Sequence, residues 1–198
     1  MSLAKAGLVV GIIGAVIAGA SFINDVANGR KPPLLFSKKN DRFTCESRPY
    51  PNEGEIWTVV YHNDKEAQPW LRMVNTFGGD WNTPKRCGEI ERRLENYRQD
   101  GLTAFDYRTD LNTPGQSVIC AKTKLSGDNC NLLVTLDVGV DPYTSLSKMI
   151  EALENKTTVD QNSKGEPSAP LLSPASPSVH LGNFLANEDL NAGDTAKK

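Results

Sequence analysis

Apolar positions fall along this chain in three regimes. From Ala6 to Ile23 no side chain is charged, and Ser21 is the one polar residue in the run. From Arg42 to Leu153 apolar residues recur in short bursts with strand or helix spacing. After Asn155 the periodicity stops, and Pro167, Pro170, Pro174 and Pro177 alternate with Ser, Ala, Asn and Lys.

The middle regime carries the fold. Arg42 to Ser47, Ile56 to His62 and Trp70 to Val74 are rich in aromatic and β-branched residues and read as strands separated by polar, Pro-containing turns. Thr83 can cap a helix with Pro84 at its first position. Cys87, Ile90, Leu94 and Tyr97 then recur at three and four residues, and Gly101 closes the helix. Leu102 to Arg108 returns as a strand, and Asn112-Thr113-Pro114-Gly115 turns. Ser117 to Ala121 and Asn131 to Leu136 form a hairpin across the loop Lys122 to Asn129, which contains Ser126-Gly127-Asp128-Asn129. A second helix starts at Asp141 with Pro142 inside it, and Leu146, Met149, Ile150 and Leu153 make its stripe. Six strands and two helices predict an α+β domain, mostly antiparallel sheet with the helices on one face.

The flanking regimes set the organisation: 1–24 is a signal peptide or membrane anchor, 25–40 a tether, 41–155 the cysteine-containing domain, and 156–198 a disordered Pro/Ser-rich tail. The first run, about 18 residues at about 1.5 Å rise, makes a helix of roughly 27 Å, close to the thickness of a hydrocarbon core. Gly7, Gly11, Ala15 and Gly19 form a small-xxx-small stripe suited to helix association, whereas Ala18-Gly19-Ala20 suits signal peptidase. Under both readings the chain is targeted. Arg30, Lys31, Lys38 and Lys39 lie after the run, where the positive-inside rule prefers cytoplasm.

The cysteines argue for export. Cys45, Cys87, Cys120 and Cys130 include no C-x-x-C pair and no neighbouring histidine, which is poor zinc spacing, and in an exported chain they read as two disulfides. Three connectivities are open. Because Cys120 and Cys130 flank the hairpin loop, the favoured pairing is Cys45 with Cys87 and Cys120 with Cys130.

Charge narrows the partners. Net charge is -2 over 198 residues with acids and bases mixed, so no basic face exists for nucleic acid. His62 and His180 are the two histidines, and neither they nor any motif calls for a cofactor or metal. His62-Asn63-Asp64 is a weak base-and-carboxylate pair, because adjacent strand residues face opposite ways. Trp57 and Trp70 read as core. Trp81, in the Gly-rich loop before the first helix, and Arg86 are candidates for partner binding, and Leu181 and Phe184 form an apolar cluster in the tail that suits docking. Glu89, Glu91, Arg92, Arg93 and Glu95 read as a solvated helix face. Pro167 to Pro170 and Pro174 to Pro177 satisfy P-x-x-P, and Asn155-Lys156-Thr157 fits a glycosylation sequon.

Phe43-Thr44-Cys45, Trp57-Thr58-Val59-Val60, Trp70, Trp81-Asn82-Thr83-Pro84-Lys85-Arg86-Cys87, Ser117-Val118-Ile119-Cys120 and Cys130-Asn131-Leu132-Leu133-Val134-Thr135-Leu136 share a further property. In this order they resemble the circadian oscillating protein family of cyanobacteria, over about residues 42–153. The resemblance implies a membrane-associated protein with rhythmic expression in at least one member; it transfers no catalytic residue. Members are thought of as peripheral, whereas Ala6 to Ile23 reads as an anchor.

The expected function is therefore a non-catalytic, exported, membrane-associated domain facing the periplasm or thylakoid lumen and binding a protein partner. The alternative is an exported enzyme or ligand-binding protein with a Trp-lined cleft and carboxylates such as Asp64, Glu66 or Asp80, of which glycosidase chemistry would need two across a cleft. A ligand or metal sensor is the third reading.

Overall fold

In β2 (Gly54–His62) Thr58, Val59, Val60 and Tyr61 are buried in succession, as are Val118 to Ala121 in β5 (Ser117–Thr123). Strands buried on both faces lie inside a structure, and each of these two is an inner strand of a separate sheet. The computed structural model describes residues 41–77, 79–110, 113, 115–161 and 178–194. The first sheet has the order β1-β2-β3-β7, with β1 spanning Phe43–Tyr50, β3 Ala67–Arg72 and β7 Val159–Asp160. The second has the order β6-β5-β4-β8, with β4 spanning Leu102–Thr109, β6 Asn131–Thr135 and β8 Val179–His180. Every pairing is antiparallel except that of β7 with β3, where Leu71 faces Val159.

Helix α1 (Thr83–Gln99) touches β1 and β2 of the first sheet and β4, β5 and β6 of the second; helix α2 (Pro142–Glu154) touches β3, β7, β4 and β5. One apolar core joins all of them. Trp70 of β3 stacks on Phe105 of β4 with centroids 5.8 Å apart, and Phe43 of β1 lies 4.9 Å from Tyr61 and 6.2 Å from Trp70. The buried Trp70 indole donates to the Met149 carbonyl of α2 at 2.8 Å, so its one polar atom is satisfied.

The domain is the expected mostly antiparallel α+β fold, but with two sheets where one was expected. The cause is α1, which separates β3 from β4, so no hairpin joins them and the free side of β3 is taken by β7. Both disulfides are closed in the favoured pairing, Cys45 with Cys87 and Cys120 with Cys130, with Cα atoms 5.6 and 4.9 Å apart.

The larger correction concerns the tail. Its described parts belong to the domain: β7 extends the first sheet, β8 extends the second, and a short helix α3 (Asn187–Leu190) follows. Leu181 is fully buried and Leu185 nearly so. Asp189 is 1 % exposed, accepts from the Tyr61 hydroxyl at 2.9 Å and pairs with Arg98 at 3.1 Å. Burial and hydrogen bonding of these residues to β2, β4 and α1 hold the segment, which local composition does not reveal. The domain therefore reaches at least Asp194, past the expected boundary at 155.

The expected N-terminal apolar helix, the tether, the P-x-x-P spacings and part of the turn at 112–115 lie outside the described residues. Among the described residues no helix is long and apolar enough to cross a membrane.

Candidate functional site

The site starts from a helix cap. Asn82 Oδ1 accepts the Lys85 backbone N–H at 3.0 Å, and Pro84 sits in the first turn, so α1 begins at Thr83 with Asn82, one residue before the expected cap, as its N-cap. That start sets the helix phase. Arg86, Glu89, Ile90 and Arg93, at spacings of three, four and seven, share one face. They face β6, the edge strand of the second sheet, and with Phe77 and Trp81 of the preceding loop they line a pocket of about 220 Å³ closed by Leu133, Val134 and Thr135. Phe77 N–H donates to the Trp81 carbonyl at 3.1 Å, and Gly79, at φ +52°, permits the turn between them.

α1 is fastened to the β6 edge by side chains. Arg93 donates to the Leu133 carbonyl at 3.0 Å and the Tyr97 hydroxyl to the Leu132 carbonyl at 2.7 Å. Such contacts blunt an otherwise open edge.

The polar groups of the pocket are unequal. Glu89 accepts from Arg92 at 2.7 and 2.9 Å and from Arg93 at 2.8 Å. Those hydrogen bonds, Arg92 first, outweigh partial burial and hold its carboxyl at about 2, so it is a locked anion with no proton to give near neutral pH. Arg86 is 6 % exposed. It donates to the Asn75 carbonyl at 2.6 Å and to Gln161 Oε1, and its guanidinium lies 5.3 Å from the Phe77 ring centroid. Burial lowers its pKa, opposed by the charge of Asp137.

At the rim, Trp81 is 41 % exposed with the Lys85 ammonium 4.8 Å from its ring centroid.

Of the sequence-predicted partner-binding residues, the pocket brings together Trp81 and Arg86 and excludes Leu181 and Phe184. The last two are corrections: Leu181 is core, its N–H bonded to the Thr103 carbonyl at 2.8 Å, and Phe184 packs half-buried against that core. Their apolar cluster docks on its own domain. Cys45, Cys87, Cys120 and Cys130 are spent in the two bridges.

Of the three tryptophans, Trp70 is fully buried, Trp57 packs partly buried against the core and Trp81 lines the pocket. Asp64 pairs with Arg42 at 2.7 Å, Glu66 pairs with Lys156, and Asp80 is not in the pocket wall. His62 meets Thr44 Oγ1 at 2.8 Å and Glu46 at 3.2 Å. Glu89 and Arg93, expected on a solvated helix face, and Ile90, expected in the apolar stripe, line the pocket with Phe77 and the β6 residues, to which the sequence assigns no site role. Their one local signal is the helical spacing of Arg86, Glu89, Ile90 and Arg93, which looks like ordinary surface until β6 is laid against it.

Fold and site together define a disulfide-stapled, two-sheet α+β domain with a small pocket that is apolar, aromatic and cationic. A family model for circadian oscillating protein COP23 matches residues 42–186. The chain belongs to this family. No curated protein and no solved structure matches it. The match runs past 155, in line with the domain boundary seen in the fold.

Proposed function

We propose that the protein is a non-catalytic, exported and membrane-associated recognition domain, facing an oxidising compartment such as the periplasm or thylakoid lumen, that holds a partner at the α1–β6 pocket. The observation that carries this reading is the pocket's chemistry: an exposed tryptophan at the rim, an apolar floor, and a single carboxylate fixed by two arginines. Those groups suit binding better than proton transfer, which needs a group poised to change its protonation state. The two closed disulfides support an oxidising compartment. Attachment to the membrane rests on the apolar run Ala6 to Ile23.

Site-specific photocrosslinking tests the reading. With a benzophenone amino acid at position 81 of the full chain in its native membranes, a discrete adduct is expected, and the same probe at exposed Lys65 should not give it. No adduct at 81, or identical adducts at both positions, overturns it.

A further inference from the structure

The pocket holds a charge that no described residue matches with an ion pair. Arg86 is nine-tenths buried, yet both of its protein acceptors, the Asn75 carbonyl and the Gln161 side-chain oxygen, are neutral. They use two of its five N–H groups. Among the described residues no carboxylate forms an ion pair with it, and the acid acting on it is Asp137, through its charge. A buried cation without a contacting anion is costly, and the cost is relieved by whatever anion enters beside it.

The surroundings favour an anion as well. In the pocket wall Arg86 and Arg93 stand with Glu89, whose carboxylate is already taken by Arg92 and Arg93, and Lys85 adds a further positive charge beside Trp81 at the rim. Arg86 also lies in the first turn of α1, where the helix dipole adds positive potential.

Size and lining define the rest of the ligand. At about 220 Å³ the pocket falls below the roughly 300–1,000 Å³ of drug-sized sites, which leaves room for one ring or branched group with its acid. Phe77, Trp81, Ile90, Leu133 and Val134 supply apolar contact. The walls are preset: Cys87, next to Arg86, ties α1 to β1, and Cys130, next to β6, ties that strand to β5. A preset pocket loses little ordering entropy on binding.

We infer that the α1–β6 pocket binds a single aromatic or branched apolar group carrying a carboxylate, with Arg86 as the counter-cation. This deepens the recognition reading above and rests on it for the location of the site. The carboxylate has two sources of the same chemistry, a free small acid or the C-terminal residue of a peptide chain, and the test separates them.

Calorimetric titration of the full chain uses four probes: N-acetylphenylalanine, its amide, and a hexapeptide ending in phenylalanine with a free or an amidated terminus. The acids should bind at least about tenfold more tightly than the matching amides, the size of one charge-assisted hydrogen bond. A hexapeptide acid tighter than N-acetylphenylalanine assigns the site to a chain terminus; equal affinities assign it to a small acid. Arg86→Gln should abolish the preference for acid, Arg86→Lys should keep part of it, and Trp81→Ala, at the exposed rim, should weaken acid and amide alike.

Acid and amide binding equally to the wild-type chain, or no probe binding, overturns the inference without reference to any variant. So does a folded Arg86→Gln protein that still prefers the acid. The crosslinking result is independent: an adduct at 81 with no acid preference sinks the carboxylate and leaves the recognition domain, and acid preference without an adduct does the reverse.

Discussion

Replacing Leu181 with alanine distinguishes a docked C-terminal segment from a loose one. The side chain is fully buried, its N–H donates to the Thr103 carbonyl at 2.8 Å, and its own carbonyl accepts from Phe184 at 2.9 Å and Leu185 at 3.1 Å. Truncation in such a closed site loses the transfer free energy of the removed carbons and leaves a cavity, together about 2–5 kcal/mol. At about 3 kcal/mol, a domain of this size should melt roughly 6–12 °C lower. That is a large part of a typical stability of about 5–15 kcal/mol. Thermal melts by circular dichroism under nonreducing conditions read the shift. Asn183→Ala, exposed two residues away, is the control and should stay within about 0.5 kcal/mol. If both variants melt with the wild type, the segment does not contribute to the fold and the boundary returns to residue 155.

Three more tests reach other parts of the structure. Because its folded pKa is depressed to about 2 from an ordinary 4.5, the Glu89 carboxylate contributes stability that is present above pH 4.5 and lost as pH falls toward 2. Glu89→Gln should therefore cost about 1 kcal/mol at neutral pH, after allowance for partial exposure, and almost nothing near pH 2; a denaturant-melt difference that does not change with pH counts against the Arg92 and Arg93 hydrogen bonds. Replacing Cys45 and Cys87 with serine should destabilise by about 4 kcal/mol and replacing Cys120 and Cys130 by about 2.8 kcal/mol, following loop length, and the reverse order in urea titrations would contradict the chain-entropy account. Tyr61→Phe removes a hydroxyl that donates to buried Asp189 at 2.9 Å and accepts from Ala186 N–H at 2.8 Å, so about 1.5–3 kcal/mol should go; unchanged stability would mean that the Tyr61–Asp189 contact does not form.

What was legible in the sequence was what neighbouring residues determine. Cys87, Ile90 and Leu94 mark the buried stripe of α1, and Gly101, at φ +77° just beyond the Asp100 cap, ends it as expected. The cap itself was displaced by one residue, since Asn82 and Thr83 are both good caps in adjacent positions and only tertiary placement selects between them. β7 and β8 were illegible because a two-residue strand has no period to detect; each exists through its pairing with β3 or β4. The pocket was hidden for the same reason. Glu89 and Arg93 have surface spacing, and they become pocket wall only because Leu133, 40 positions along the chain from Arg93, accepts its hydrogen bond.

The composition of α1 explains how a helix can present so polar a wall. Of the four residues it gives to the pocket, only Ile90 is apolar, so this face adds little hydrophobic adhesion. The opposite attachment makes up the difference. Glu95 accepts the Arg42 and Phe43 N–H groups at 2.8 and 2.7 Å, Glu91 accepts the Cys45 N–H at 2.9 Å, and Cys87 is bonded to Cys45. These contacts occupy the open edge of β1 with charge-assisted hydrogen bonds, which are about twice as strong as neutral ones. Held to one sheet by carboxylates and a disulfide, α1 can turn Arg86, Glu89 and Arg93 toward the other sheet and keep a charged pocket open between them.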